Sequence, residues 1–145
     1  MKDREPQPPR NELILAQEIQ KARLVFICGN GGSASTSDHF ATDLVKKGMR
    51  AISLSANASI ITMIGNDYGF DQVFSRQLEP FITKQDLLVT ISCSGTSPNI
   101  KKAQEIALDK GATVYTFETF KGNDRDYGKL ENEHLRFAHE VARLI

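Results

Sequence analysis

Four side chains in this sequence have the types and spacing to move a proton or hold a cation. His39 and Asp43 stand four residues apart, which puts them on one face of a helix. Glu131 lies on the apolar stripe of a predicted C-terminal helix, formed by Leu135, Ala138, Ala142 and Ile145, and His139 sits at its edge. An imidazole beside a carboxylate is a general acid–base device or part of a metal site. Each residue also has a plainer reading. His39 reads as a capping or core histidine, Asp43 as a solvated acid, and Glu131 as an exposed carboxylate at a frayed helix start. Burying Glu131 and His139 costs energy unless each has a partner. His134, on the other edge of that helix, reads as structural or solvated.

Two loops could supply a ligand for such groups. The apolar run 24–28 breaks at Gly29-Asn30-Gly31-Gly32-Ser33, and a helix pattern follows. Strand, glycine turn and helix start together aim backbone N–H groups at an anion. The second apolar run, 86–92, leads into Ser92-Cys93-Ser94-Gly95-Thr96-Ser97-Pro98. Its hydroxyls and the N–H groups of the next helix can hold a phosphate dianion. One such loop reads as an ordinary serine-rich turn; two, each after a strand and before a helix, point to a phosphate-bearing small molecule. Gly29, Gly31 and Ala34 match a dinucleotide fingerprint, but residues 53–57 (Ser-Leu-Ser-Ala-Asn) carry no acid for a ribose. No Gly-Lys-Ser/Thr follows the glycines, which excludes a Walker loop.

The elements that must position these groups follow from hydrophobic periodicity. A helix is predicted over 11–22, with Asn11 as N-cap and a stripe of Leu13, Ile14, Ala16 and Ile19. Strands are predicted over 23–28, 51–55, 86–92 and 112–117. Helices are predicted over 35–47 and 58–64. A turn follows at 65–69, and Phe70, Val73, Phe74 and Leu78 recur at helical spacing until Pro80. Ser97 is a candidate N-cap with Pro98 at the first helical position, and Gly111 ends that helix. Residues 118–130 are polar and turn-rich, and a last helix covers 130–145. Alternating strands and helices predict an α/β three-layer sandwich, a parallel sheet of four to five strands flanked by helices. Ligands bind such sheets beyond the carboxyl ends of the strands, where both loops lie.

The chain has 145 residues, 40% hydrophobic and 25% charged, with no net formal charge. This fits one domain over 11–145, with 1–10 disordered or extended because of Pro6, Pro8 and Pro9. The scattered Lys and Arg suggest no nucleic acid or anionic membrane as partner. No run is long and apolar enough to span a bilayer, and residues 1–12 hold no apolar signal segment, so the expected location is cytoplasmic. Cys28 and Cys93 read as partly buried, reduced thiols, with a catalytic Cys93 as the alternative.

Three stretches, GNGGSASTSDHF, GNDYGFDQVFSRQ and ISCSGTSPNI, resemble the phosphosugar-binding SIS domain. More narrowly they resemble phosphoheptose isomerases, which convert sedoheptulose 7-phosphate to D-glycero-D-manno-heptose 7-phosphate for heptose and surface polysaccharide. The resemblance covers about residues 24–117, resumes in the last helix, and implies a sheet in flavodoxin-like order. It implies that Ser92, Ser94 and Ser97, with Cys93 in the same loop, grip the phosphate. By the same match Asn30, Gly31 and Ser33 approach the sugar, and Asp67 and Glu131 complete the substrate site. It further implies Asp43 as catalytic base with His139 as partner, and a zinc ion held by His39, Asp43, Glu131 and His139. A homotetramer with sites between subunits is also implied.

The sequence departs from that pattern in four places. Asp43 replaces a glutamate, Glu131 replaces a glutamine, the fifth strand is missing or reduced to 118–130, and the N-terminal helical region is short. The alternatives are a non-catalytic SIS-domain adaptor of the kind that associates with the bacterial replication initiator, and a sugar-phosphate sensor. An adaptor has no chemical need for His39, an acid at 43 and His139 together.

Overall fold

The computed structural model describes residues 10–145. The expected disordered or extended N-terminus falls on residues 1–9, outside the described residues, and on Arg10, which opens the first helix. In chain order the elements are α1 (Arg10–Lys21), β1 (Val25–Gly29), α2 (Gly32–Lys46), β2 (Ala51–Ser53), α3 (Ala58–Asp67), a 3₁₀ turn (Phe70–Gln72), α4 (Ser75–Leu78), β3 (Leu87–Ile91), α5 (Pro98–Asp109), β4 (Thr113–Thr116) and α6 (Tyr127–Arg143).

The four strands pair in parallel in the order β2-β1-β3-β4. Alternate residues of β1 feed two cores. Val25 and Ile27 join Leu15, Phe40, Leu44, Phe117 and Val141 beneath α1, α2 and α6. Phe26 and Cys28 join Ile64, Leu78, Ile100 and Ala103 beneath α3, α4 and α5. This is the α/β three-layer sandwich that period-two burial between two helical layers requires. The chain leaves β1 toward β2 and leaves β3 toward β4, in opposite directions. The crevice between the ends of β1 and β3 is therefore the topological switch point.

Several expected details change. On α1 the buried stripe is Glu12, Leu15, Ala16 and Ile19, whereas Leu13 and Ile14 are exposed. Arg136 lies 3.6 Å from the Glu12 carboxylate, so the acid is buried with a partner. α2 starts at Gly32, three residues before the predicted start, because Gly31 turns the chain at φ 56°, ψ −123°, a conformation open to glycine. α3 runs through the predicted turn to Asp67. The helix expected over 70–78 is split, since exposed Phe70 turns outward while Val73, Phe74 and Leu78 are buried. Ser97 occupies the N-cap position of α5, but its hydroxyl makes no capping bond. α6 starts at Tyr127, because the Asp126 side chain accepts from the Lys129 amide at 3.1 Å. No fifth strand occurs among the described residues.

The end of the sheet away from the loops is pinned by Asp86. Its carboxylate accepts from Arg23 Nε and Nη2 at 3.0 and 2.9 Å, from the Thr83 amide at 2.7 Å and from the Thr83 hydroxyl at 3.0 Å. Burial pushes the Asp86 carboxyl up, but these donors and the Arg23 charge outweigh it and hold it below the usual carboxylate range. The folded chain therefore binds the proton more weakly than the unfolded one. The stabilisation is complete above the unfolded carboxyl value near 4 and is lost as pH falls below it. Asp86→Asn is expected to cost about 2 kcal/mol at pH 7. In urea unfolding, the gap between wild type and variant should narrow as pH falls below about 4; a gap independent of pH would refute the assignment.

Candidate functional site

Strand register brings the two loops together. Gly29 of β1 pairs with Ile91 of β3, so Asn30 and Ser92 leave the sheet side by side. Gly29 has no room for a side chain. A Cβ there would lie 2.6 Å from the Ser33 carbonyl oxygen and 2.8 Å from that of Ile91. Ser55, beyond β2, donates to the Gly29 carbonyl at 2.9 Å.

A cavity of about 100 Å³ opens between the loops, lined by Asn30, Ser33, Ser92, Cys93, Ser94, Ser97 and Glu131, with Ile91 and Tyr127. The Ser92 hydroxyl accepts from the Gly95 amide at 3.0 Å and that of Ser94 from the Thr96 amide at 3.2 Å. Each hydroxyl thus shapes the loop as an acceptor and retains its O–H to donate to an anion. Burial and then the Glu131 charge push the Cys93 thiol up, against a hydrogen bond with Ser33 that lowers it. A thiol held protonated is a poor nucleophile, so Cys93 is better read as a wall of the cavity. Tyr127, which no sequence motif marks, also lines the cavity. Asp126, the helix N-cap just before it, was the available signal.

The second cluster lies along α2 and α6. His39 Nε2 is 3.1 Å from His139 Nε2, and Asp43 Oδ2 is 3.5 Å from the first and 3.8 Å from the second. His39 and His139 come from positions 100 residues apart, so only the packing of α2 on α6 joins them. Two imidazole nitrogens at that distance share a proton or a cation. The three donors lie within 4.8 Å of one another. Two ligands about 2.1 Å from a tetrahedral zinc stand roughly 3.4 Å apart, so the set fits a zinc with an open position. The side chains are half to three-quarters covered, which leaves the cluster accessible.

Glu131 does not join this group. Its carboxylate lies over Gly32, where a Cβ would come within 2.5 Å of it. Gly32 precedes His39 by seven residues, about 10 Å of helix rise. Within one chain Glu131 therefore belongs to the cavity rather than to the cation cluster, at the end of α2 that favours negative charge. Its place in the second turn of α6 also removes the frayed-start reading. Gly31 is exposed and shapes the turn, and Asp67 ends α3, exposed and accepting from Asn66 at 2.9 Å; neither lines the cavity. His134 is structural. It is buried with Nε2 bonded to the Glu118 carbonyl and its ring edge-on to Phe117.

The sequence profile of the SIS domain matches residues 10–118, so this chain is an SIS domain. It is 43% identical over 124 residues to a phosphoheptose isomerase of Helicobacter pylori strain P12, covering 81% of this chain and 62% of that protein. It is 32% identical over 151 residues to the phosphoheptose isomerase of Aliarcobacter butzleri, covering 91% and 80%. The solved phosphoheptose isomerase from Neisseria gonorrhoeae superposes with a TM-score of 0.83 at 29% identity, covering 91% of this chain and 80% of that one. The chain belongs to the phosphoheptose isomerase family. It spans about six-tenths of the length of the Helicobacter relative.

Proposed function

We propose that the chain is a sugar-phosphate aldose–ketose isomerase acting on sedoheptulose 7-phosphate and forming D-glycero-D-manno-heptose 7-phosphate, for heptose and surface polysaccharide. The observation that carries this reading is the pairing of an anion cavity at the β1–β3 switch point with a His–Asp–His cluster two helical turns along α2. The separation suits the substrate. An extended seven-carbon chain with its phosphate spans roughly 10 Å from carbon–carbon bonds of about 1.5 Å. Ser92, Ser94 and Ser97 hold the phosphate, and Asn30 and Ser33 approach the sugar hydroxyls. Asp67, exposed at the end of α3, remains a proposed substrate contact.

Asp43 takes the proton from carbon 1 of the ketose, forming an enediol, and the proton returns at carbon 2 to give the aldose. In the site without metal, His139 moves the hydroxyl proton between the two oxygens, with His39 fixing its orientation. His39, Asp43 and His139 would hold a zinc ion, which when bound supplies Lewis-acid polarisation of the carbonyl. The free, buried Cys28 and Cys93 fit a reducing compartment, so we place the reaction in the cytoplasm. Among the described residues no helix is long and apolar enough to cross a membrane.

We also propose a homotetramer. α3 buries only Ile64 and exposes Met63, with Tyr68 and Phe70 exposed just beyond it. Such uncovered apolar surface supports contact with further copies. Light scattering should give a multiple of the 16.1 kDa chain; a monomer at working concentration would overturn this part.

The deciding experiment incubates the protein with sedoheptulose 7-phosphate in deuterated water, with and without zinc, followed by NMR. Aldose carrying deuterium at carbon 2 is expected. Phosphate-sensitive binding without turnover or exchange under either condition would favour a non-catalytic binding or adaptor protein. Glu131 supplies a further prediction, because its carboxylate sits in the anion cavity. Glu131→Gln should tighten inorganic phosphate binding by about threefold to tenfold at low salt. Calorimetric titration would check it; weaker binding would show that the acid helps the anion.

A further inference from the structure

We infer that Asn99 is a positioning residue that holds the Asn30 amide, and through it the glycine loop, in fixed register with the serine loop. The inference rests on the site reading above. Asn99 is the second residue of α5 and only 2% exposed. Its Nδ2 donates to Asn30 Oδ1 at 2.8 Å, and Asn30 Nδ2 donates to Asn99 Oδ1 at 2.9 Å. The two residues are 69 positions apart, one in each loop–helix junction.

A buried amide needs partners, and Asn99 meets that need through Asn30. Two reciprocal bonds fix the plane of the Asn30 amide, where one would let it rotate. Each amide has two N–H donors and two acceptor sites, and the pair uses one of each. Asn30 lines the cavity, so it retains one donor and one acceptor, at an angle Asn99 sets, for a sugar hydroxyl. Pro98 adds rigidity on the other side, since its ring fixes the backbone just before Asn99. Asn99 itself does not line the cavity, so its effect passes through Asn30.

The test compares Asn99→Ala with the near-isosteric, uncharged Asn99→Leu, which keeps the bulk and removes both hydrogen bonds. Both should weaken sedoheptulose 7-phosphate binding by about tenfold while changing inorganic phosphate binding by less than about twofold. In an Asn30→Ala background, Asn99→Ala should add less than about twofold, because its route is already cut. Equal losses for both probes, or a full additive loss in the double variant, would overturn the inference.

Hydrogen exchange gives a readout that needs no ligand. The Ser33 amide, which donates to the Asn30 carbonyl at 2.9 Å, should exchange about tenfold faster in Asn99→Ala. The Leu54 amide, bonded to Ile27 at 2.8 Å, should not change. A uniform rise across the sheet, or none at Ser33, would mark Asn99 as a mere packing residue. If the wild-type chain neither binds nor converts sedoheptulose 7-phosphate, the site reading fails, and the exchange comparison alone decides the role of Asn99.

Discussion

Asp43→Asn is expected to lower turnover of sedoheptulose 7-phosphate by about 10²–10⁴-fold, the usual contribution of a positioned acid–base group. The amide keeps the shape of the side chain and its place near His39 and His139, 3.5 and 3.8 Å away. It cannot accept the proton from carbon 1. KM should change little, because the phosphate and sugar contacts line the cavity and Asp43 does not. Circular dichroism and thermal melting should match the wild type, since Asp43 lies outside both cores. His139→Ala should lose a similar factor, and both variants should weaken metal binding, readable by zinc titration without substrate. Near-normal turnover in both variants would remove the assigned roles.

Gly29→Ala should be strongly destabilising. Its Cβ would stand 2.6 and 2.8 Å from two backbone carbonyl oxygens, neither of which can swing aside. Relief requires β1 and β3 to part or the start of α2 to shift. A cost of about 3 kcal/mol follows from overpacking, and a fall in Tm of about 10 °C. Phosphate binding should fall with it, because the same movement separates Asn30 from Ser92. Gly32→Ala is the control. The atoms nearest the added methyl belong to the Glu131 carboxylate, the end of a flexible side chain, so Tm should hold while Glu131 moves. A melting temperature for Gly29→Ala equal to that of the wild type would show that the loop is not built on this contact.

These two expectations rest on different kinds of information. Gly29 and the turn it begins are legible in sequence. A buried apolar strand ending in three glycines has few ways to continue, and strand–turn–helix is the local answer. Ser92, Ser94 and Ser97 are legible for the same reason, since a local loop is set by its own residues. The α/β class and the ligand end of the sheet follow from alternating periodicity and right-handed crossovers, and the strand order from the family resemblance. The pairing of His39 with Asp43 is equally local, one helical turn.

Other features needed three dimensions. His139 reaches His39 across 100 residues only through the packing of α2 on α6. The parting of Glu131 from that pair depends on two helices running side by side, which converts seven residues of α2 into about 10 Å. Helical periodicity also misassigned the outward face of α1. A buried Glu12 looks polar in sequence, and only Arg136, brought from α6, makes its burial tolerable. Asn99 is the extreme case. Nothing about an asparagine after a proline marks it, and its role depends on a partner 69 residues away. By itself, then, the sequence determined the layers, the two loops and the helical pair at His39 and Asp43, because short-range sterics and hydrophobic period decide them. Only tertiary packing decided which distant side chains share a site, because that is a matter of where buried helices cross.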